Sequence, residues 1–108
     1  MVLKKKIDLL VSSGKIEWKK HALQRMFERV ISRDEVKQAV LDGKIIEKYK
    51  DDYPFPSFLI ACVDRDKPIH VVVSYDEKVD ICYIITTYEP DTKYFLKDLI
   101  TRRKDETN

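Results

Sequence analysis

Residues 69–88 read IHVVVSYDEKVDICYIITTY and carry the strongest fold signal in the chain. Two runs rich in β-branched and aromatic residues flank the short polar stretch EKV at 77–79. Such runs, joined by a few polar residues, are typical of a β-hairpin. Side chains along the first strand should alternate between the two faces of the sheet. One face is predicted to carry Ile69, Val71, Val73 and Tyr75, and the other His70, Val72 and Ser74.

A third predicted strand comes before this hairpin. SFLIACVD at 57–64 is an almost continuous apolar run, which is typical of a buried strand. RDKP at 65–68 is predicted to turn the chain into the hairpin. Just upstream, the two prolines of DDYPFP at 51–56 exclude regular structure. The central part of the sequence therefore predicts an antiparallel β-meander.

Three amphipathic segments come before the sheet. Residues 3–14, LKKKIDLLVSSG, have apolar residues at helical spacing and end at a glycine. KKHALQRMFERV at 19–30 predicts a second helix, and SRDEVKQAVLDG at 32–43 predicts a third. The third begins with a capping box, in which Ser32 and Glu35 each accept a hydrogen bond from the other's backbone N–H. Two or three helices are therefore predicted at the N-terminal end.

The last part of the chain, PDTKYFLKDLITRRK at 90–104, has apolar residues at helical spacing and predicts a C-terminal helix. KIEW at 15–18 is predicted to be a short extended link, and residues 104–108 a frayed tail. The chain of 108 residues has the size of one domain, 1–108. The predicted fold class is α+β, with N-terminal helices packed on an antiparallel meander and a C-terminal helix. The inward side chains of the predicted C-terminal helix would be Tyr94 or Phe95, Leu96, Leu99 and Ile100.

The composition of the chain is that of a folded domain with a highly charged surface. Hydrophobic residues make up 44% of the sequence and charged residues 37%. No apolar run approaches the roughly 20 residues that cross a bilayer, so a soluble, cytoplasmic protein is expected. Residues 1–48 hold twelve Lys or Arg against seven Asp or Glu, and residues 49–108 hold nine against twelve. This asymmetry is consistent with a basic patch for phosphates or an acidic partner, and equally with two independently solvated surfaces.

The cysteines and histidines do not predict a metal site. Cys62 and Cys82 lie in apolar strand-like runs and form no C-x-x-C motif, so two buried, reduced thiols are predicted. Only two histidines are present, without carboxylates at ligand spacing. No metal and no other cofactor is therefore predicted.

The second predicted helix has two contrasting faces. His21, Arg25 and Arg29 follow one another at four-residue spacing, which places them on one side of an α-helix. Glu28 lies near this side, so an ordinary ion-paired, solvated face is one interpretation. The other is a reactive face, because Arg donates in a planar fork suited to phosphate and His titrates near neutrality. The opposite side of the helix is apolar and carries Leu23, Met26, Phe27 and Val30.

The second histidine, His70, lies in the first strand of the hairpin. If the hairpin folds symmetrically about residue 78, His70 faces Thr86, with Tyr88 diagonal to it on the same face. Two interpretations of His70 stay open. It is either a half-buried histidine held by a hydroxyl or a carbonyl group, or a functional histidine. Tyr88 itself ends a strand, either as a cap on the core or as a hydrogen-bond donor at the edge of a site.

The proline-rich loop presents two aromatic side chains, Tyr53 and Phe55. Held between prolines, they form a preorganised rim that is able to stack on a base or on a partner side chain. Folding of the same rings inward over the sheet is the alternative.

Three motifs together resemble a known family. HALQRMFERVIS at 21–32, HVVVSYD at 70–76 and IITTYEPD at 84–91 are similar to the domain-of-unknown-function family DUF4258. The pattern of that family runs roughly H-A-x-x-R-M-x-x-R-x-I-S, then P-x-H-V-V-V, then a strand ending Y-x-P-D. The resemblance spans about residues 19–95.

This chain departs from the family pattern at two positions. Val30 stands where the family often has glycine, which suggests a tighter or longer end of the second helix. Lys19 stands where Thr or Ser often caps the start of that helix. Phe95 occupies a position near the C-terminus where an aromatic residue, often Trp, is expected.

The family in turn is similar to RelE/BrnT-type toxins, small α+β proteins that often act as metal-independent endoribonucleases neutralised by an antitoxin. This similarity implies that the RNA's own 2′-hydroxyl attacks the adjacent phosphate. RNA and a cognate antitoxin would be the partners. The implied catalytic residues are His21, His70, Arg25 and Tyr88, and the implied substrate contacts are Arg29, Lys20 and Tyr53.

Two other functions stay open. One is a non-enzymatic interaction module that binds an acidic protein through the arginine face and the DDYPFP loop. The other is inhibition of a topoisomerase, as in ParE-like relatives. The ribonuclease hypothesis requires the second helix to lie across the sheet face that carries His70, because only then do the two imidazoles share one hollow.

Overall fold

The computed structural model describes residues 3–104, which form three helices and a five-stranded sheet. The predicted α+β class with N-terminal helices is confirmed. Of the predicted frayed tail, the residues after Lys104 lie outside the described part of the chain. The helices are α1 (Leu3–Ser12), α2 (Lys20–Arg29) and α3 (Arg33–Asp42). The strands are β1 (Ile16–Trp18), β2 (Lys44–Tyr49), β3 (Ser57–Cys62), β4 (Ile69–Asp76) and β5 (Ile81–Tyr88).

The sheet is mixed rather than purely antiparallel, with the strand order β1-β5-β4-β3-β2. β2 to β5 form the antiparallel meander, whereas β1 pairs with β5 in parallel. The stretch predicted as an extended link is therefore an edge strand. Two backbone hydrogen bonds extend this pairing at its ends. Cys82 N donates to Lys15 O at 3.0 Å, and Lys19 N donates to Ile84 O at 3.2 Å. Three residues are too few to show a strand period in the sequence.

The helices pack on one face of the sheet and form the main core there. β4 contributes the face that was predicted to be apolar, with Ile69, Val71 and Val73 all at 0% exposure. Burial of this apolar surface is the main term that stabilises the fold. Cys82 is buried in it as a free thiol, as predicted. The other members of this helix-side core include Ile7, Leu10, Val11, Ala22, Met26, Val36, Ala39, Val40, Ile60 and Ile84.

The opposite face of the sheet is also covered at one end. Ala61 pairs with His70, so the two residues share this face, and Leu59 lies two residues before Ala61 on the same side. Leu59 is 0% exposed and Ala61 3% exposed. The cover is the segment 90–104, which places the ring of Phe95 4.7 Å from that of His70. A second, smaller apolar layer thus forms on this face.

The predicted C-terminal helix is wrong, because the C-terminal segment (residues 90–104) folds back on itself. Leu96 N donates to Thr101 O, and Arg103 N donates to Tyr94 O, each at 2.8 Å. At the turn, an Asp98 carboxylate oxygen accepts the backbone N–H groups of two later residues, each at 2.9 Å. An Asp side chain that takes these N–H groups competes with helical hydrogen bonds.

The register of β4 and β5 differs from the prediction. His70 lies directly opposite Tyr88, and Val72 lies opposite Thr86. An irregularity after Val72 inserts one extra residue into β5, and Asp80 turns the hairpin in the left-handed region at φ 53°. The change shifts the partner of His70 by two residues, so the predicted grouping of His70 and Tyr88 on one face survives.

Both ends of α3 are fixed by particular residues. The predicted capping box is present, with Glu35 N donating to the Ser32 hydroxyl at 3.0 Å and Ser32 N donating to the Glu35 carboxylate at 2.9 Å. At the other end, Gly43 passes close to two backbones. A Cβ placed on Gly43 would lie 2.6 Å from both Ala39 O and Ala61 O, so only glycine fits between α3 and β3. Within residues 3–104, no helix is long and apolar enough to cross a membrane.

Candidate functional site

His70 is fully buried, and both of its ring nitrogens are occupied. Nε2 lies 2.7 Å from the carbonyl oxygen of Leu99, and Nδ1 lies 3.2 Å from the hydroxyl of Tyr88. A carbonyl oxygen only accepts hydrogen bonds, so Nε2 carries the proton. Burial lowers the pKa of His70 and keeps the ring neutral, so Nδ1 accepts a hydrogen bond from Tyr88.

A charged pair lies behind this histidine. Arg102 donates to both carboxylate oxygens of Glu47, at 2.9 and 3.0 Å, and its guanidinium lies 4.7 Å from the centroid of the Phe95 ring. The hydrogen bonds from Arg102 hold the pKa of Glu47 below its usual value. Tyr49 also donates to Glu47, and burial followed by this hydrogen bond raises the pKa of Tyr49 to about 12. The pair ties the C-terminal segment to β2.

Sequence reasoning missed Glu47 and Arg102 as neighbours of His70. They lie 55 positions apart in the chain, and each belongs to a segment with several similar charges. No periodicity in the sequence links these two residues. The predicted C-terminal helix also did not place Arg102 next to Glu47. The signal was instead the non-helical turn chemistry at Asp98, which folds Arg102 back onto the sheet.

Tyr88 also faces a surface cleft of about 370 Å³, here called the Tyr88 cleft. Arg29 enters it from the end of α2 and is fixed by a hydrogen bond of 3.0 Å from Nη1 to the carbonyl oxygen of Thr87. One of the two acidic side chains in the wall, Glu89, lies 3.9 Å from the ammonium of Lys67. The lining residues are Arg29, Tyr88, Glu89, Asp91, Tyr94, Phe95 and Arg102.

The structure does not bring His21 to this cleft. The side chain of His21 is exposed, and its Nε2 accepts a hydrogen bond of 3.3 Å from Nε of Arg25. Arg25 also pairs with Glu28 at 3.2 Å, so this part of α2 has the ion-paired, solvated character of the first interpretation. His21 precedes Arg29 by eight residues, which is about 12 Å along a helix axis.

The two imidazoles also belong to different sides of the sheet. Ala22 and Met26 bury α2 in the helix-side core, together with Val71. His70 is adjacent to Val71 on β4 and therefore faces the other way. The condition that α2 crosses the His70 face is not met, because the apolar stripe of α2 packs on the opposite face. The pairing of β1 with β5 ends at Trp18 and Ile84, and beyond this point Arg29 donates to the backbone of β5 at Thr87.

The apolar side predicted for α2 is only partly buried. Met26 is 3% exposed, whereas Phe27 is 87% exposed and Val30 is 80% exposed. The buried side of α2 is centred on Ala22 and Met26, so only part of the apolar side identified in the sequence faces the core. A helix of ten residues at the sheet edge contacts the core along a narrow stripe.

Lys20 and Tyr53 lie away from the Tyr88 cleft. Tyr53 is 94% exposed and lines a second cavity of about 260 Å³, here called the aromatic cavity. Lys20 is exposed and lines neither cavity, but the preceding residue, Lys19, lines the aromatic cavity. The seven residues predicted from the sequence therefore fall into three groups. Arg29, Tyr88 and His70 lie together, Lys20, His21 and Arg25 lie on the N-terminal part of α2, and Tyr53 lies on the loop.

Residues 18–89 match the model of a family described as Domain of unknown function (DUF4258). The chain belongs to the DUF4258 family. No curated protein and no solved structure matches this DUF4258 protein at a significant level. The family match runs from the last residue of β1 through β5 and ends at Glu89, so the C-terminal segment that covers His70 lies beyond it.

The two departures from the family pattern lie at the two ends of α2 in this DUF4258 protein. Lys19 is the N-cap residue, and its side chain makes no capping hydrogen bond. Val30 is the C-cap residue and adopts the left-handed conformation, with φ 56° and ψ 51°. Glycine adopts this conformation without strain, whereas a β-branched residue does not. α2 therefore ends at Arg29, where a glycine would also end it.

Tyr88 links the buried His70 to a cleft lined by both guanidinium and carboxylate groups. The Tyr88 hydroxyl is backed by a neutral imidazole, and Tyr88 lines the same cleft as two guanidinium groups, Arg29 and Arg102. Burial raises the pKa of Tyr88 and lowers that of His70, so the phenol keeps its proton and donates it as a hydrogen bond to the neutral imidazole.

Proposed function

We propose that this DUF4258 protein is a metal-independent endoribonuclease of a toxin–antitoxin system, in which Tyr88 is the reacting side chain. The observation that carries the proposal is the position of Tyr88 between His70 and a cleft with two arginines. His70 acts behind Tyr88 as a positioning and proton-accepting residue. His21 and Arg25 have no catalytic part in this scheme.

The proposed step needs only the RNA and these side chains. The 2′-oxygen attacks the adjacent phosphorus, and the bond from phosphorus to the 5′-oxygen breaks. The proton of the 2′-hydroxyl passes to the Tyr88 oxygen while the Tyr88 proton passes to Nδ1 of His70. Water protonates the leaving 5′-oxygen, and His70 later returns its proton to solvent through Tyr88. The products are a 2′,3′-cyclic phosphate and a 5′-hydroxyl.

The two guanidinium groups of the cleft support binding of a phosphate, although the carboxylates of Glu89 and Asp91 also line it. Arg29 uses one N–H group on Thr87 and keeps other donors for an oxyanion. Arg102 is held in place by Glu47 and lines the cleft from the other element. Donors fixed before the reaction stabilise developing charge without reorganisation. Burial lowers the pKa of His70 and disfavours its protonated form, and the Leu99 carbonyl and the charge of Glu47 offset part of this cost in the step in which His70 gains a proton.

A basic groove adjoins the cleft and supports contact with a longer RNA. The groove has a volume of about 740 Å³ and shares Tyr94 and Arg102 with the Tyr88 cleft. Lys93, Arg103 and Lys104 also line it. Cationic side chains along a groove attract the phosphate backbone without regard to base sequence. Arg103 is anchored by a hydrogen bond of 2.6 Å from Nε to Thr92 O.

The test is cleavage of a labelled RNA in the presence of EDTA. The wild-type protein should yield fragments that end in a 2′,3′-cyclic phosphate. Tyr88→Phe should lower the rate about 100-fold or more, since general acid–base catalysis typically contributes about 10²–10⁴-fold. Tyr75→Phe is the matched control, because the Tyr75 hydroxyl binds Asp80 near the opposite end of β4.

Two further variants separate this scheme from the paired-histidine scheme. His21→Gln should retain cleavage, whereas Arg29→Met should lose most of it. Loss of activity in His21→Gln with normal activity in Tyr88→Phe would overturn the assignment of Tyr88. A wild-type protein that leaves RNA intact under all these conditions would overturn the ribonuclease proposal.

A second candidate function is binding of a protein partner through the end of α2. Phe27 and Val30 are exposed apolar side chains close to Arg29, a combination typical of an interaction surface. A cognate antitoxin seated there would also cover the Tyr88 cleft. Induction of the gene should arrest bacterial growth for the wild type and not for Tyr88→Phe if the protein is a ribonuclease. Equal arrest by both proteins would favour a non-enzymatic module.

A further inference from the structure

The aromatic cavity lies on the same sheet face as His70 but toward the other end of the hairpin. Ser74 follows His70 by four residues on β4 and pairs with Tyr83 of β5. The loop that follows β2 closes the cavity from the side. Its volume of about 260 Å³ lies at the small end of ligand cavities and suits one flat ring system. The lining residues are Lys19, Asp52, Tyr53, Pro54, Phe55, Ser57, Ser74, Tyr83 and Ile85.

Aromatic rings form a platform in this cavity. The rings of Phe55 and Tyr83 stack on each other, with an interplanar angle of 4° and centroids 5.7 Å apart, so a base would stack outside this pair and not between the two rings. The third ring, Tyr53, is 94% exposed, and the prolines on its loop limit its movement. The ammonium of Lys19 lies 4.7 Å from the centroid of the Tyr83 ring. Aromatic faces flanked by a cation bind nucleobases by stacking.

One wall of the cavity accepts hydrogen bonds. The carboxylate of Asp52 accepts a hydrogen bond from the hydroxyl of Ser57 through one oxygen, Oδ2. This bond orients the carboxylate on the loop. An ionised carboxylate accepts several hydrogen bonds and donates none, so it favours a ligand edge with adjacent donors. Among the RNA bases, guanine presents two such donors side by side, at N1 and at the exocyclic N2 amino group.

We propose that the aromatic cavity binds a guanine base, with its Watson–Crick edge toward Asp52 and its face on the aromatic platform. Resting on the proposed ribonuclease function, the cavity is the specificity subsite for an RNA nucleotide near the cleavage point. Tyr83 and Tyr88 are five residues apart on β5, which is about 17 Å along a strand. The bound guanine therefore belongs to a different nucleotide from the one that is cleaved.

The first experiment measures binding of three mononucleotides to the wild-type protein by calorimetry. The probes are guanosine, inosine and adenosine 5′-monophosphate. Inosine lacks the N2 amino group but keeps N1–H, and adenine lacks both donors. Guanosine monophosphate should bind about tenfold or more tightly than the other two, since an unpaired polar group in the site penalises the wrong ligand. Equal binding of all three would overturn the guanine assignment.

Variants locate the binding site. Asp52→Asn should abolish the preference for guanosine monophosphate, and Tyr53→Leu should weaken binding of every probe. Phe27→Leu is the matched control for Tyr53→Leu, because both positions carry a highly exposed aromatic ring. Unchanged binding in Tyr53→Leu and Asp52→Asn would place the nucleotide elsewhere and overturn the proposal. Both altered side chains are exposed, so circular dichroism should show an intact fold.

A cleavage assay separates this inference from the ribonuclease proposal. RNA that contains guanine should be cut faster than the same RNA with inosine in its place, and Asp52→Asn should remove the difference. Tyr88→Phe should bind guanosine monophosphate normally. Guanine binding without any RNA cleavage would defeat the ribonuclease function while the cavity assignment stands. Equal cleavage rates for the guanine-containing and the inosine-containing RNA would contradict the cavity assignment and leave the ribonuclease proposal intact.

Discussion

Nδ1 of His70 lies 3.2 Å from the hydroxyl of Tyr88, and the two residues pair directly across β4 and β5. Their rings meet edge to face, with centroids 5.3 Å apart. The imidazole is closed off from solvent on its other side by Leu99 and Phe95. His70 is therefore a structural element as well as the partner of a surface hydroxyl, and the two roles lead to separate measurements.

Replacement of His70 should destabilise the fold more than replacement of Tyr88. His70→Ala leaves a cavity and an unpaired Leu99 carbonyl, so the free energy of unfolding should fall by about 2–4 kcal/mol. Tyr88→Phe removes one hydrogen bond and should cost about 1 kcal/mol. Urea denaturation followed by circular dichroism checks both values. A loss below about 1 kcal/mol in His70→Ala would contradict the buried role of His70.

Stability should depend on pH through His70. Burial lowers the pKa of this ring in the folded state below its ordinary value of 6.5, so the unfolded chain binds more protons between the two values. The contribution of the neutral His70 ring to the free energy of unfolding is complete above pH 6.5. It is lost as the pH falls toward the pKa of His70 in the folded state. The charges that face the ring are those of Glu47 and Arg102, with the Tyr88 phenol beside them.

The control for this pH dependence is His70→Gln, which removes the titration. Thermal unfolding between about pH 5 and 7 should show a steeper fall in the melting temperature for the wild type than for the variant. The window lies above the ordinary pKa of Glu47, 4.5, whose lowered pKa removes stability only at more acidic pH. Parallel curves for the two proteins would show that His70 does not titrate in this range.

Substitution of Val30 by glycine should stabilise the protein. Val30 has φ 56° and is 80% exposed, so the change relieves left-handed strain and sacrifices little packing. The left-handed conformation costs a non-glycine residue about 1–2 kcal/mol, part of which is offset by the greater freedom of glycine in the unfolded chain. A gain of about 0.5–1 kcal/mol is expected from thermal denaturation. Val30→Ala, which keeps a Cβ, should gain less.

Gly43 and Gly14 should respond to alanine for different reasons. In Gly43→Ala the new methyl group meets two backbone carbonyls at 2.6 Å, so the loss should be about 2–3 kcal/mol or more. Gly14 has φ +76°, and a methyl group there would meet no atom of a non-neighbouring residue among 3–104 within 4 Å. Gly14→Ala should therefore lose only about 1 kcal/mol, from backbone strain. Chemical denaturation of the two variants compares these costs, and equal losses would contradict the tight approach at Gly43.

Local chemistry made much of the fold predictable. The three helices, the capping box at Ser32 and the alternation along β4 each follow from residues a few positions apart. Helical and strand periods are properties of a short segment, so they are visible without knowledge of distant contacts. The hairpin was predictable for the same reason, but its register was not. The pairing next to the turn is displaced by one residue and an extra residue in β5 displaces it by one more, so the partner of His70 is Tyr88 and not Thr86.

The C-terminal segment shows where local patterns fail. Its apolar spacing fits a helix, yet the segment is not helical, the ring of Phe95 packs on His70 and the backbone carbonyl of Leu99 accepts a hydrogen bond from His70. The choice depends on apolar surface left open on the far face of the sheet, which the segment buries. The edge strand β1 was missed for a related reason, since three residues acquire a strand conformation only through their partner β5.

The candidate site was predictable only in part. His70, Tyr88 and Arg29 were recognisable from residue type and motif, because these properties belong to the sequence itself. Their grouping, the exclusion of His21 and the arrival of Arg102 were decided by tertiary structure. The face of the sheet on which α2 packs, and the path of the last residues across the other face, depend on which apolar surfaces bury one another, and that is a relationship between distant segments.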